Sequence, residues 1–201
     1  MGNLKIAKDK SKKKDGYYKT KYKGNYTNKD APKKLINYVT RTGKREDRKE
    51  DLIIWGARGV LYSQPIDDII HIIEQTQMIC RGSRPMGPRM FHEIYGLSDG
   101  QMYFFHYYPQ LLDEFAYACA GVYYDAGHQV IYGVHNEPYS EKRMHIHFAV
   151  NAVNYNDGYK WHTNMSTDQR TRENYMNMIF EDMLRRYGFI SIQKLAPDNC
   201  I

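Results

Sequence analysis

Apolar residues along the chain recur at two spacings, one typical of helices and the other of strands. Repeats of three and four residues predict helices over 33–42, 66–80, 109–126 and 166–187. A glycine follows each of these segments within two residues, as is common where a helix ends. Shorter apolar runs predict strands over 52–55, 90–95, 129–135, 144–153 and 159–162. This alternation predicts an α/β fold in which helices flank a central sheet.

Two of the predicted strands carry histidines. His135 ends the first, and His145 and His147 stand two residues apart in the second. Alternate side chains of a strand share a face, so His145 and His147 point the same way, with Asn151 further along that face. The loop 136–143 is short enough to join the strands as an antiparallel hairpin, which would place His135 beside His145. The sheet is therefore predicted to be mostly antiparallel.

Three converging imidazoles have the composition of a divalent metal site. Neutral imidazole binds zinc, manganese, cobalt and nickel, and takes part less readily in magnesium sites. A metal held by three histidines keeps open positions at which a phosphate oxygen can bind. The chain has 8 histidines in 201 residues, so purely structural histidines remain the alternative.

The composition indicates one globular domain. A chain of 201 residues with 42% hydrophobic residues can bury a substantial core. It contains no apolar stretch of about 20 residues, the length needed to cross a bilayer. The cysteines, which are odd in number and widely spaced, are interpreted as thiols of a reducing compartment: Cys80, Cys119 and Cys200. We therefore expect a cytoplasmic protein.

Positive charge is concentrated near the N-terminus. Residues 1–34 hold 12 lysines and 3 aspartates, although the whole chain has a net charge of only +6. Lysines interleaved with tyrosines suit a single nucleic-acid strand, whereas a solvated disordered leader is the alternative. We predict an unstructured basic tail over 1–29 ahead of a single domain over 30–201. The candidate DNA contacts in the tail are Lys12, Lys13, Lys14, Lys21, Tyr22 and Lys23.

A second basic segment is the loop 81–89, which is rich in glycine and proline. Its arginines suit a phosphate contact, and its composition suits a plain connector equally well. The sequence alone leaves both interpretations open.

Several stretches of the chain are together similar to one known family. The histidine strands read His135-Asn136-Glu137 and His145-Ile146-His147-Phe148-Ala149-Val150-Asn151-Ala152-Val153. They resemble the three-histidine motif of the mobilisation relaxases of the MOBP class, which belong to the HUH single-strand DNA endonucleases. The segment 35–44 resembles the family's tyrosine motif. The resemblance covers roughly residues 30–187 and implies a relaxase-like fold.

The resemblance implies a nicking reaction on single-stranded DNA at a transfer origin. Tyr38 would attack one phosphodiester, so that the 5′ phosphate becomes linked to the tyrosine and a free 3′-OH leaves. His135, His145 and His147 would hold a divalent metal ion, manganese or magnesium, against that phosphate. Accessory DNA-binding proteins and a secretion-system coupling protein would be further partners, in the bacterial cytoplasm.

The resemblance also implies supporting roles for nearby polar residues. Glu137 would orient a histidine or assist the proton, although Glu141 lies in the same loop and fits that role too. Asn151 would position a histidine or the DNA. Arg41 would contact the DNA.

The sequence is also compatible with two other functions. A rolling-circle replication initiator uses the same chemistry with a tyrosine on a helix after the histidines, where Tyr175 stands. A non-catalytic single-strand DNA-binding protein would keep the histidines for structural reasons. Competing nucleophiles are Tyr17, Tyr18, Tyr22, Tyr26, His92 and His106.

Overall fold

The computed structural model describes residues 17–21, 26–43, 50–137, 143–160 and 165–189. The strands within these ranges are β1 (Tyr17–Lys21), β2 (Leu52–Arg58), β3 (Met90–Gly96), β4 (Val130–Glu137) and β5 (Arg143–Asn151). The helices are α1 (Ala31–Val39), α2 (Ile66–Arg81), α3 (Asp99–Tyr107), α4 (Leu111–Tyr124) and α5 (Met165–Arg186). None of these helices is long and apolar enough to cross a membrane.

The described strands form a five-stranded sheet in the order β1-β3-β5-β4-β2, with every neighbouring pair antiparallel. The histidine strands β4 and β5 pair as a hairpin in which His135 lies directly opposite His145. The predicted α/β fold, with an antiparallel sheet that carries the histidines and is flanked by helices, is therefore confirmed.

The two faces of the sheet are covered by different helices. On one face α1 and α2 pack against Met90, Ile131 and Ala149. On the other face α3, α4 and α5 pack against a larger cluster that includes Ile146 and Phe148 of β5. The two-residue period of β5 sends successive side chains to opposite faces, so each helical layer meets its own set of residues.

The end of α1 is held close to β4. Pro32 stands near the start of the helix, where its missing N–H costs no hydrogen bond. A Cβ on Gly133 would collide with the Val39 carbonyl oxygen, so only glycine permits this approach. Arg41 follows with a φ of 53°, which turns the chain away from the helix axis. The last turn of α1 is thereby placed over the histidine strands.

The prediction that residues 1–29 lack regular structure is wrong for Tyr17–Lys21, which forms the edge strand β1 on β3. Its tyrosines and threonine have high strand propensity, and β3 offers it an unpaired edge. The high lysine content predicted a disordered tail, but backbone pairing with β3 makes this segment a strand. Of the predicted tail contacts, Lys21 lies in β1, and Lys12, Lys13, Lys14, Tyr22 and Lys23 lie outside the described residues.

Helix α3 was not predicted. Its aromatic residues have only moderate helix propensity, but its start carries a capping box in which Ser98 and Gln101 bond each other's backbone N–H. The predicted strand at 159–162 is represented, as far as the structure describes it, by a single bridge between Val153 and Lys160. Cys80 is a half-buried free thiol and Cys119 a fully buried one, whereas Cys200 lies outside the described ranges.

Candidate metal centre

The three predicted histidines converge at one point of the sheet. One ring nitrogen from each of His135, His145 and His147 lies within 4.8 Å of the others, and all three residues are at most 1% exposed. The Nε2 atoms of His145 and His147 face each other at 2.9 Å. The alternation of β5 and the register of the hairpin bring this trio together, as the sequence predicted.

The bonding of His135 fits a metal ligand. Its Nε2 lies 2.7 Å from the Val39 carbonyl oxygen, which can only accept, so this nitrogen carries the ring proton. Its Nδ1 is then a bare lone pair, and it is buried without a hydrogen-bond partner among the described residues. An unpaired buried acceptor costs about 1–3 kcal/mol, which a bound cation would recover. The donor set of the trio therefore suits a divalent metal.

The surroundings keep the rings of His135 and His147 neutral. Burial, with a contribution from the Arg41 guanidinium, lowers the pKa of His135 to about 3. Burial also holds the pKa of His147 well below its usual range, and the neighbouring His92, His135 and His145 act in the same direction. Because the pKa is low, few protons compete with a metal ion for the lone pair of the neutral imidazole.

His92 is a fourth histidine of the site, and sequence reasoning did not assign it there. It lies on β3 with its Nε2 2.8 Å from Nδ1 of His147 and its Nδ1 3.1 Å from the Tyr26 hydroxyl. If Nε2 of His147 faces the metal, its Nδ1–H donates to His92, which fixes the orientation of the ring. The pairing of β3 with β5 brings His92 beside His147, and no local sequence pattern predicts this pairing. His106, the other histidine considered, is exposed on α3.

Tyr38 stands at the trio. It is half-buried on the last turn of α1, with its ring centroid 5.2 Å from that of His147 and 6.2 Å from that of His135. The ring of His92 is 5.4 Å away. The structure thus places the predicted tyrosine beside the predicted histidines, although they are about 100 residues apart in the chain.

Arg41 and Glu137 form a pair that packs against the tyrosine. The Arg41 guanidinium carbon lies 5.0 Å from the centre of the Tyr38 ring, and one of its nitrogens lies 3.2 Å from a Glu137 carboxylate oxygen. Asp51 approaches the same nitrogen at 3.8 Å, a partner that the sequence did not suggest. The Arg41 side chain is only 5% exposed. Arg41 and Glu137 thus contact each other inside the protein, and the expected DNA contact of Arg41 stays a prediction. Glu141 lies outside the described residues.

Asn151 links three elements of the fold through hydrogen bonds. It is fully buried, and its side-chain oxygen accepts from Gln77 and from the backbone of Val153, while its amide donates to Gln129. These bonds tie the end of β5 to α2 and to the start of β4. The structure thus shows a supporting role for Asn151 within the fold, and its predicted role in positioning a histidine or the DNA stays a prediction.

The competing tyrosines are dispersed. Tyr26 joins the site through His92, whereas Tyr22 lies outside the described residues. Tyr17 and Tyr18 lie in β1, opposite Gly96 and Tyr95. Tyr175 is half-exposed on α5, which packs on the face of the sheet that the histidines do not share.

Comparison with models of protein families matches residues 38–188 to the MobA/VirD2-like nuclease domain of the relaxases. The chain belongs to this relaxase family. No curated protein matches it. The matched region contains Tyr38, all three histidines of the trio and α5. The protein is accordingly a DNA endonuclease of a metal-dependent family whose members bind and nick single-stranded DNA.

Proposed function

We propose that this relaxase nicks single-stranded DNA at a transfer origin by transesterification at Tyr38, and so initiates conjugative transfer or mobilisation. The observation that carries the proposal is the placement of the Tyr38 ring within 5.2 Å of the His147 ring, on a helix end held against β4. The histidine motif and the position of the tyrosine before it favour the MOBP class.

The reaction exchanges one ester for another. The Tyr38 hydroxyl oxygen bonds to phosphorus, the bond from phosphorus to the 3′ oxygen breaks, and the proton lost by the phenol is balanced by one gained at the 3′ oxygen. The products are a 5′-phosphotyrosine and a free 3′-OH. The new ester conserves the energy of the cleaved bond, so a 3′-OH can attack it and reseal the strand.

A phenol is a poor nucleophile until its proton is removed or shared. The positive charge of Arg41, 5.0 Å from the ring centre, favours negative charge developing on the Tyr38 oxygen. Glu137, paired with Arg41 at 3.2 Å, fixes the direction of the guanidinium. We therefore assign positioning roles to Arg41 and Glu137.

The trio suits a divalent ion such as manganese, which when bound would polarise the scissile phosphate. His135 is prepared for this by a fixed tautomer, because its Nε2–H donates to the Val39 carbonyl oxygen. With Nε2 of His147 on the metal, its Nδ1–H would donate to His92. Burial of the histidines excludes water that would otherwise solvate them.

The remaining predicted partners belong to this proposal as well. We propose that the N-terminal lysines contact the DNA strand through its phosphates, and that accessory DNA-binding proteins and a secretion-system coupling protein act with the relaxase in the bacterial cytoplasm. The basic character of residues 1–34, with 12 lysines and 3 aspartates, supports the DNA contact.

The deciding experiment incubates the protein with labelled single-stranded origin DNA and manganese, and measures a denaturant-resistant protein–DNA adduct. We expect an adduct whose peptide map contains Tyr38, and its loss in Tyr38→Phe. Tyr175→Phe is the matched control, because it removes one phenol on the other face of the sheet.

Two outcomes contradict the proposal. Loss of the adduct in Tyr175→Phe, with Tyr38→Phe active, indicates a rolling-circle replication initiator. DNA binding without an adduct in the wild type indicates a non-catalytic single-strand DNA-binding protein.

A further inference from the structure

Four cationic side chains gather where α2 leads into β3. Arg81 is the last residue of α2, Arg84 and Arg89 lie in the loop to β3, and Lys160 lies on the bridge to Val153. Arg81 donates to the Pro85 and Gly158 carbonyl oxygens. We call Arg81, Arg84, Arg89 and Lys160 the basic cluster.

Backbone carbonyls hold three members of the basic cluster, and the fourth, Arg89, donates to the side-chain oxygen of Gln77. Arg84 donates to the Asp157 carbonyl oxygen, and Lys160 donates to that of Pro88. A Cβ on Gly158 would collide with the Cys80 carbonyl oxygen, so the turn at Gly158 is packed directly against the end of α2. This packing fixes where the cations stand.

No carboxylate of the described residues forms an ion pair with any member of the cluster. The Asp157 carboxylate, the nearest in the turn, accepts from the backbone N–H of Tyr159. Other arginines of the chain do have acidic partners, such as Arg58 with Asp125 and Arg172 with Glu93. The positive charge of the cluster is therefore uncompensated within this part of the chain.

Arg89 and Lys160 are partly buried, which raises the free-energy cost of placing like charges near one another. Nε of Arg89 is buried without a hydrogen-bond partner among the described residues. Burial, together with Arg81 and Arg89, lowers the pKa of Lys160 to about 8. Cations that repel one another in a partly dry setting are stabilised when an anion binds between them.

An aromatic platform lies beside the cluster. Tyr159 is 62% exposed, and the Arg84 guanidinium carbon lies 4.8 Å from the centre of its ring. Exposed aromatic rings next to cations are the usual means by which proteins hold a nucleic-acid single strand, with bases on the rings and phosphates on the cations.

The cluster is connected to the metal centre. The backbone N–H of Arg89 donates to the Tyr26 carbonyl oxygen at 2.7 Å, and the Tyr26 hydroxyl meets His92 at 3.1 Å. Arg89 precedes His92 by three residues, which corresponds to about 10 Å along a strand. A DNA strand with one phosphate at the trio can therefore reach the cluster within a few nucleotides.

We propose that the basic cluster binds backbone phosphates of the single strand beside the nick, and that Tyr159 stacks on one of its bases. The inference rests on the proposed function only in taking single-stranded DNA as the ligand, and it is independent of the chemistry at Tyr38. It gives the loop 81–89, for which the sequence left two interpretations open, a role as a phosphate contact.

The test measures the affinity for a labelled single-stranded oligonucleotide of mixed sequence over a range of salt concentrations. Arg84→Gln and Lys160→Gln should each weaken binding, and each should reduce the slope of log affinity against log salt by roughly 0.7 for every phosphate that the variant no longer neutralises. Arg84→Lys, which keeps the charge, should restore the slope. Tyr159→Ala should weaken binding about ten-fold and leave the slope unchanged.

Arg58→Gln is the matched control. Arg58 lies over Tyr117 and Tyr124 at 4.8 Å, the same distance as Arg84 over Tyr159, but it is paired with Asp125. Its removal should leave the slope unchanged. Arg84 is exposed, so Arg84→Gln carries the test even if Lys160→Gln fails to fold.

Wild-type affinity and slope in Arg84→Gln overturn the proposal. A second arm adds inorganic phosphate at constant ionic strength and measures the thermal midpoint. Stabilisation by phosphate that disappears in Arg84→Gln, with an unchanged DNA slope, shows a site for a free anion and also overturns the proposal. A reduced slope in Arg84→Gln supports it even if the wild type forms no adduct, in which case only the assignment of Tyr38 fails.

Discussion

The two faces of β5 are buried to the same degree but are chemically opposite. Ile146 and Phe148 point into the hydrocarbon cluster beneath α4 and α5. On the opposite face His147 contacts Tyr38 of α1 and Asn151 contacts Gln77 of α2, and His145 shares this face. All five residues are at most 1% exposed. Burial therefore stabilises the fold on the apolar face, whereas on the histidine face it encloses polar groups that can bind a ligand.

The way each face treats its polar groups shows the difference. On the apolar face Glu93 of β3 forms an ion pair with Arg172 of α5 at 3.3 Å, so opposite charges meet within the protein. On the histidine face Nδ1 of His135 is buried without a hydrogen-bond partner among the described residues. A buried lone pair without a hydrogen bond lowers the stability of the fold. On the histidine face this cost falls at a position where a ligand can bind.

Neighbouring substitutions on the two faces should give the largest contrast. His147→Ala should abolish manganese binding and nicking while the fold persists, because it removes a ligand and little apolar surface. Phe148→Ala should lower the free energy of unfolding by about 3–5 kcal/mol, because it leaves a cavity in the core. Manganese titration and chemical denaturation of both variants measure these effects. Equal destabilisation by the two substitutions would contradict the division between the faces.

Low pH should lower the free energy of unfolding through the buried His135 on the histidine face. The folded-state pKa of His135 is about 3, below its ordinary value, so the unfolded chain takes up the proton first as the pH falls. The metal-free protein should therefore be most stable above about pH 6.5 and lose up to about 1.4 kcal/mol per pH unit from this group as the pH falls toward 3. Denaturation midpoints between about pH 7 and pH 5 measure the loss. An equal pH dependence in His135→Phe would reject the assignment.

The histidine face also depends on the residues that orient its ligands. His92→Phe should weaken manganese affinity by about 10–100-fold, because Nδ1 of His147 loses its hydrogen-bond partner. His106→Phe, at an exposed position on α3, is the control and should bind as the wild type does. Calorimetric titration distinguishes them, and unchanged affinity in His92→Phe would show that His147 is oriented by other contacts.

The smallest effect should come from the lysine-rich segment that precedes β1 in the chain. Residues 1–16 carry six lysines and two aspartates, and their deletion leaves β1 in place. We expect weaker binding of single-stranded DNA and a flatter salt dependence, with manganese affinity and the denaturation midpoint unchanged. Deletion of residues 1–29 should in addition lower the midpoint, because it removes β1 from the sheet. An unchanged salt dependence in the shorter deletion would reject the role of these lysines.

Local periodicity predicted much of the framework. The helical repeat over 66–80 corresponds to α2, and the alternation around His145 and His147 corresponds to β5. The hairpin prediction succeeded because a short loop and a two-residue period leave few ways to pair the strands. The strand β1 was missed because an edge strand depends on the unpaired strand beside it, which its own sequence does not encode.

The sequence by itself determined which residues of β4 and β5 share a face, because that depends only on the geometry of an extended chain. Only the tertiary structure decided what meets them there. The contact between His92 and His147 spans 55 residues, and that between Arg41 and Glu137 spans 96. Both follow from strand order and from the approach of α1 to Gly133. Such contacts are set by the packing of whole elements, so no local pattern of residues can reveal them.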